Sequence, residues 1–452
     1  MSSSLISKYN VPGPRYTSYP TVPYWENNGY TGEEWERHLK LSFNSENNNG
    51  GISLYIHLPF CESLCTFCGC NKRITKNHNV EEKYIDALLK EWQLYLQIFD
   101  TQPVISEIHL GGGTPTFFNA QNLKRLLTGI LKNSKIHNTY EFGFEGHPNN
   151  TREDHLKALY DLGFTRCSYG VQDYDPIVQK TINRIQPFEN VKRITELSRK
   201  IGFKSISHDL VFGLPHQKLS SIESTIIKTA ELSPDRIAFY SYAHVPWIKG
   251  VGQRGFSEED LPKNNEKRLL YEKGRELLEL NEYFEIGMDH FSKTHDELFK
   301  SFKSGTLHRN FMGYTTSGSK LMIGLGVSAI GDTWSAFAQN EKSLEDYYQR
   351  IDKNELPIFR GHILNSEDLK IRAKILDLMC RFETNIEDLL PDIKTEILER
   401  LEEPFEDNLI QISDSQIKIL EKGLPFIRNI CMSFDLRLYR NKPSTQLFSM
   451  TI

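Results

Sequence analysis

Four of the seven cysteines in this 452-residue chain, Cys61, Cys65, Cys68 and Cys70, fall within a few residues of one another. The first three form a C-x3-C-x2-C run in a loop that follows the alternating apolar segment Ile52 to Leu58. Such spacing lets successive sulfurs surround a compact metal centre without long loop closure. Thiolates are soft ligands and select iron–sulfur clusters, zinc or Cu(I). Three ligands leave one iron of a [4Fe–4S] cube without a protein thiolate, open to a substrate or cofactor. Only one residue separates Cys70 from Cys68, so Cys70 reads as an adjacent functional group. A structural zinc site usually draws on two separated pairs of ligands. No second C-x2-C pair occurs, and His290 and His295 have a zinc-like spacing but no cysteine near them in sequence.

The longer string, Tyr55-x-His57-x-Pro59-Phe60-Cys61-x3-Cys65-x2-Cys68-Gly69-Cys70, resembles the signature of the radical S-adenosylmethionine (SAM) enzymes. In this form it is similar to that of the oxygen-independent coproporphyrinogen III oxidase family. The resemblance extends through Arg15-Tyr16-Thr17-Ser18-Tyr19-Pro20, Gly170 to Asp173, Asp209 to Pro215, Tyr242-Ala243-His244, Gly287 to Phe291 and His308 to Phe311. Two departures stand out. Glu145-Gly146-His147-Pro148 replaces the more usual Glu-Val-Asp-Pro, and Met312 stands where a glutamine is typical.

The pattern beyond the cysteine loop predicts an α/β fold. From about 50 to 245, strands alternate with amphipathic helices: Ile52 to Leu58, Val104 to Leu110, Tyr140 to His147, Phe164 to Val171, Ser205 to Phe212 and Arg236 to Tyr242 read as strands. Between the first two, Val80 to Phe99 reads as a helix. Asn119 is a candidate N-cap, and Thr151-x-x-Asp154 resembles a capping box. Six such strands imply parallel βαβ units. The family resemblance implies that they curl into a partial (β/α)6 barrel. Residues 1–45, rich in proline and tyrosine, read as a loop-like arm or flap. Residues 46–365 read as the barrel with an extension, and 366–452 as a small, mainly helical C-terminal domain.

In parallel α/β folds, function gathers at the carboxyl ends of the strands. The cysteine loop follows the first strand, and Gly111-Gly112-Gly113-Thr114 follows the second, where free N–H groups could grip a carboxylate. Glu145, Gln172 and Asp209 fall on or at the ends of the next three strands, with Arg184 between the last two. The resemblance implies that Cys61, Cys65 and Cys68 hold the [4Fe–4S] cluster. It also implies that Tyr55, Gly112, Glu145 and Ile330 contact the SAM on its open iron. Phe67, Gly113, Thr114, Gln172, Arg184, Asp209 and Ala243 match positions around a second SAM. His57 and Cys70 are the candidate catalytic residues.

The activity implied is oxidative decarboxylation of two propionates of coproporphyrinogen III to vinyl groups, giving protoporphyrinogen IX, by way of a 5′-deoxyadenosyl radical. The substrate carries four propionates, so cations are expected around it, and Arg15, His290, His308 and Arg309 join His57 as candidates. An electron donor of the flavodoxin or ferredoxin kind and an acceptor are also implied. A formal charge of −5 gives no electrostatic case for nucleic acid or anionic membrane. Clustered cysteines in odd number, with no signal-peptide core and no run of 18 apolar residues, predict a protein of the reducing cytoplasm that does not span a membrane. A monomer is expected for a chain this large. Two other readings compete: a haem chaperone of the same superfamily without decarboxylase activity, and a zinc-stapled binding protein. Cys70 and the 15–20 arm favour the oxidase over the chaperone.

Overall fold

The computed structural model describes residues 3–26, 30–247, 252–253 and 255–451. Its centre is a run of six parallel strands: β1 (Ile52–Leu58), β2 (Val104–Gly112), β3 (Lys135–Gly146), β4 (Arg166–Gln172), β5 (Ser205–Phe212) and β6 (Arg236–Ser241). Beyond them lie β7 (Phe284–Gly287), β8 (His290–Ser292), β9 (Met322–Leu325), β10 (Ile330–Asp332), β11 (Ala336–Asn340) and β12 (Ile358–Ile363). One sheet joins all of these in the order β12-β11-β10-β9-β1-β2-β3-β4-β5-β6-β8-β7. Strand β6 does not pair with β1, so the barrel is partial, and β9 adds a further strand parallel to β1.

Period-2 alternation decides what this sheet does. In β1, Ile52, Leu54, Ile56 and Leu58 are fully buried in the main hydrophobic core against the helices. The intervening Ser53, Tyr55 and His57 face the lumen, where each finds a polar partner. Strands β2 to β4 repeat the division. Ile108, Leu110, Phe142, Phe144, Cys167 and Tyr169 join the same core, and Glu107, His109, Glu141, Glu145, Arg166 and Ser168 turn inward. The barrel interior is therefore polar and charged, walled by an apolar shell.

The helix Val80–Ile98 covers this shell with Tyr84, Ile85, Leu88, Trp92 and Tyr95 at helical spacing. Of its two buried acids, Glu91 accepts from Tyr347 Oη (2.7 Å), Asn340 Nδ2 (2.7 Å) and Gly326 N (2.8 Å), and Glu81 accepts from Asn119 N (2.9 Å) and Asn122 Nδ2 (2.8 Å). Asn119 caps the next helix by accepting from the Asn122 N–H at 2.8 Å, as the sequence predicts. Thr151 does not cap its neighbour. The helix starts at Glu153 behind Arg152, and the Thr151 hydroxyl instead bonds Thr116 and the His147 carbonyl.

Residues 1–45 differ most from expectation. Ser3–Tyr9 and Gly32–Glu46 are helices. The second, capped by Thr31, sends Trp35, Leu39 and Phe43 into the main core, a 3.6-residue stripe that the Gly- and Asn-rich flanks obscure. Leu5, Ile6, Tyr9, Tyr16 and Tyr19 are buried in a second core with C-terminal residues such as Ile375, Ile397, Phe426 and Ile430. The arm is thus built into the C-terminal unit. That unit contains the helices Ser366–Arg381 and Pro391–Glu406 and a three-stranded sheet of Glu383–Asn385, Gln416–Ile419 and Ile410–Ser413.

Candidate active site

The cysteine loop leaves β1 at the carboxyl end of the barrel. Its neck is closed by parallel pairing of Phe60–Cys61 with Arg73–Ile74. Its middle is strapped to the segment after β4 through Thr66 N to the Ile182 carbonyl (2.9 Å), Thr66 Oγ1 to the Thr181 carbonyl (3.0 Å) and Asn183 Nδ2 to the Leu64 carbonyl (2.7 Å). Cys61, Cys65, Cys68 and Cys70 all line a cavity of about 550 Å³. Cys61 Sγ lies 3.3 Å from Thr114 Oγ1, and Arg184 Nη1 lies 3.5 Å from Cys65 Sγ. Burial pushes the Cys61 thiol up to about 11, whereas hydrogen bonding to Cys70 and the nearby Lys72 charge bring Cys68 down to about 6. Among the described residues, no three His, Cys, Asp or Glu side chains gather as ligands of a single metal ion. Soft thiols spread along one cavity wall are the donor set that a cluster with separate irons requires, and the residues fit.

Phe67, Gly112, Gly113, Thr114, Glu145, Gln172, Arg184 and Asp209 line the same cavity, so most of the residues singled out in the sequence come together there. Two of the loop's N–H groups are already used within the fold. The Gly113 and Thr114 N–H groups already donate to the Leu58 and Phe60 carbonyls, at 2.9 and 3.0 Å. The need is for space: a Cβ on Gly112, whose φ is +112°, would lie 2.7 Å from the His57 ring, and one on Gly113 would lie 2.6 Å from Pro59. His57 is fixed beneath. Its Nε2–H donates to the Asn71 carbonyl (3.0 Å), its Nδ1 accepts from Tyr55 Oη (3.1 Å), and burial keeps it neutral by lowering its pKa.

Glu145 is 45% exposed to the cavity. Burial raises its pKa, but the His109 hydrogen bond and the Gly112 N–H outweigh that and leave it lowered. Asp209, across the cavity, accepts from Ser168 Oγ at 2.9 Å, and burial together with the Glu145 charge raises it to about 7. Arg184 donates to the Gly170 carbonyl at 2.6 Å, close to Gln172, which takes a left-handed φ of 67°. His147, the departure in the third strand's tail, lines the cavity too. Its Nδ1 accepts from Asn149 N at 3.2 Å, and burial and Arg184 lower its pKa to about 3.

The radical SAM superfamily profile matches residues 55–227. The oxygen-independent coproporphyrinogen III oxidase of Escherichia coli is 38% identical over 99% of this chain and 98% of its own length. That of Synechocystis is 35% identical over 100% and 98%. The solved structure of the E. coli coproporphyrinogen III oxidase, described as a radical SAM enzyme, superposes with a TM-score of 0.89 at 36% identity, covering 96% of this chain and 98% of that one. This chain belongs to the oxygen-independent coproporphyrinogen III oxidase family. Membership in this radical SAM family brings with it a [4Fe–4S] cluster and SAM, and favours the oxidase over the chaperone and zinc readings.

The remaining family-matched residues lie at varied distances from the cavity. The Ala243 and Phe67 carbonyls are bridged by Gln253 Nε2, at 2.9 and 3.2 Å. Ile330 lies off the cavity, packed with Trp25 and Phe337, but its carbonyl crowds Gly324, the strand neighbour of Tyr55. Of the cationic candidates, Arg15, His290 and Arg309 group around Tyr240. Arg15 lies over the Tyr240 ring and pairs with Asp289, Tyr240 Oη is 3.4 Å from His290 Nε2, and Arg309 donates to the Arg15 carbonyl at 3.3 Å. Burial and the two arginines lower His290 to about 3. His308, adjacent to Arg309 on a strand, points to the other face toward Trp334 and does not join them.

Sequence reasoning missed the lumen itself. Asp296, Arg236, Glu141, Arg166, His109 and Glu145 form a continuous chain of contacts at 2.7, 3.1, 2.9, 3.0 and 3.1 Å, from the amino end of the barrel to the cavity. Burial alone would raise Glu141, yet Arg236 and Arg166 hold it down to about 2. The signal was present as charged residues at alternating positions of strands whose other face is apolar.

Proposed function

We propose that this chain converts two propionates of coproporphyrinogen III to vinyl groups, giving protoporphyrinogen IX, in porphyrin biosynthesis. The observation that carries the reading is the cavity in which Cys61, Cys65 and Cys68 meet Glu145, Gln172 and Asp209 from successive strands and Arg184 from the connection between the last two. When bound there, the cluster and SAM would supply the radical that removes hydrogen from the propionate β-carbon; loss of CO2, and of one electron to an acceptor, would then leave the vinyl group. Glu145, held ionised by His109 and Gly112, is placed to accept from a cationic ammonium. Asp209 and Gln172 offer partners for hydroxyl groups, and Arg184 reaches both the Cys65 sulfur and the strand end at Gly170. Two SAM molecules, one against Tyr55, Gly112, Glu145 and Ile330 and one against Phe67, Gly113, Thr114, Gln172, Arg184, Asp209 and Ala243, account for the assigned residues. Cys70, beside the cluster ligands, and neutral His57 act next to the reacting centre, and Arg15, His290 and Arg309 face the propionates. The chain works as a monomer with a low-potential donor of the flavodoxin or ferredoxin class, in the cytoplasm; no helix of the described residues is long and apolar enough to cross a membrane. Anaerobic incubation with reductant, SAM and coproporphyrinogen III tests the reading. Protoporphyrinogen and about twice its amount of CO2, one for each propionate lost, are expected, and SAM cleavage with neither product would overturn it.

A further inference from the structure

The tail of β3 carries a donor that is not among the family-matched residues. Side chains of this strand alternate, so Glu141, Glu145 and then His147 turn inward, while Phe142, Phe144 and Gly146 face the shell. A Cβ on Gly146 would lie 2.9 Å from the Tyr169 ring and from Thr151 Oγ1. His147 is firmly mounted: its N–H donates to Thr116 Oγ1 (3.3 Å), and its carbonyl accepts from Thr151 N and Oγ1, both at 2.9 Å. Asn149 Nδ2 donates to the Ile185 carbonyl (3.0 Å), which ties this tail to the connection carrying Arg184. Because His147 Nδ1 accepts from the Asn149 N–H, the ring proton sits on Nε2. On a ring that lines the cavity, that Nε2–H has no protein partner among the described residues. Arg184, near enough for its charge to lower the His147 pKa, donates to Cys65 Sγ and the Gly170 carbonyl. Its buried Nε has no partner, and no carboxylate among the described residues ion-pairs with it. The carboxylates lining the cavity, Glu62, Glu145 and Asp209, are taken by His78, His109 and Ser168. Lys72 is spent on the Cys68 and Cys70 carbonyls. A guanidinium without a counter-ion and a fixed neutral donor together make a corner that an anion completes.

We infer that the His147 Nε2–H, with the Arg184 guanidinium, binds the carboxylate at the amino-acid end of SAM. The aspartate more usual at this position only accepts when ionised and would repel that carboxylate. The inference rests on SAM lying in this cavity, and not on which substrate is decarboxylated. Calorimetric titration into the full-length, cluster-bearing protein, kept anaerobic, compares SAM with decarboxylated SAM, which keeps the adenosine, sulfonium and amine but lacks the carboxylate. The quantity read is the ratio of the two affinities. His147→Phe should cut the preference for SAM about tenfold. His147→Asp should cut it further, whereas His147→Asn, which presents an amide donor, should recover part of the loss. Both of these shorter side chains keep an oxygen for the Asn149 N–H, so the pair separates donation and charge from the structure of the loop. A ratio that stays at the wild-type value in the Phe and Asp variants, even with both ligands weakened, would overturn the inference. A wild type that shows this dependence yet forms no protoporphyrinogen removes the decarboxylase reading and leaves His147 in place. A wild type that binds no SAM overturns both.

Discussion

His109 Nε2 lies 3.1 Å from Glu145 Oε1, and Arg166 Nη2 donates to the other nitrogen of the same ring at 3.0 Å. An arginine only donates, so Nδ1 must be unprotonated and the ring proton must sit on Nε2, aimed at Glu145. His109 is therefore a positioning residue that orients a cavity carboxylate from beneath. His109→Phe should weaken SAM binding about tenfold, and His109→Asn, whose amide donates, should recover part of it. Calorimetric titration of SAM into each variant measures this; equal affinity in all three would show that Glu145 needs no such support.

The lumen chain gives a stability prediction. Arg236 pairs with both Glu141 and Asp296, and all three are buried or nearly so. Arg236→Met leaves the buried Asp296 without a cation and Glu141 with Arg166 alone, and should lower stability by roughly 3–5 kcal/mol. Urea unfolding checks it, and a loss under 1 kcal/mol would mean that water reaches the lumen and screens the chain.

Asp209 gives a pH dependence. Burial and Glu145 raise its pKa from the ordinary carboxylate range to about 7, so the folded protein holds a proton there that the unfolded chain releases. Stability contributed by that proton is intact below about pH 4 and is lost as pH rises through about 7. Asp209→Asn should be close to wild type at pH 4 and more stable by on the order of 2 kcal/mol at pH 8, without ligands. Thermal unfolding at the two pH values measures the difference, and a gain of equal size at both would remove titration as its cause.

Cys61, Cys65 and Cys68 are expected to behave as one group and Cys70 as another. Alanine at any of the first three should abolish bound iron and sulfide, whereas Cys70→Ser should retain both and lose substrate turnover. Iron analysis of anaerobically purified variants decides this, and loss of the cluster with Cys70→Ser would make Cys70 a ligand.

Removing residues 1–20 should damage the C-terminal unit, because it uncovers the core that Leu5, Ile6, Tyr9, Tyr16 and Tyr19 fill. A loss on the order of 5 kcal/mol or more follows from that burial. Arg15→Ala should spare the fold, since Arg15 lies outside that core, and should lower product formed per SAM cleaved. Circular dichroism of the truncation and the product ratio of the point variant separate the two roles.

Strand positions were legible because alternation is a local property: β5 runs over Ser205–Phe212 and β1 over Ile52–Leu58, as read from the sequence. The cavity residues were legible because the strand order places their ends side by side. The lumen chain was not. Glu107, Glu141, Arg166 and Arg236 alternate with apolar residues, which looks the same whether the polar face meets water or the inside of a barrel. The fate of the arm was equally hidden, since its tyrosines pack on residues some 400 positions later, as the bond from Tyr16 Oη to Asp435 (3.1 Å) shows.

Arg428 joins two segments far apart in sequence, taking carbonyls of Gly13 and Pro14 on one side and Met450 and Thr451 on the other. A chain made from its amino terminus cannot tie that knot until residues 450 and 451 have been added. Arg15, the next residue after Pro14, has its side chain paired with Asp289, but the backbone just before it is tied down only from then on. The barrel and its cysteine loop are complete in sequence long before, so there is an interval during synthesis in which the loop has been made and the arm is not yet fastened.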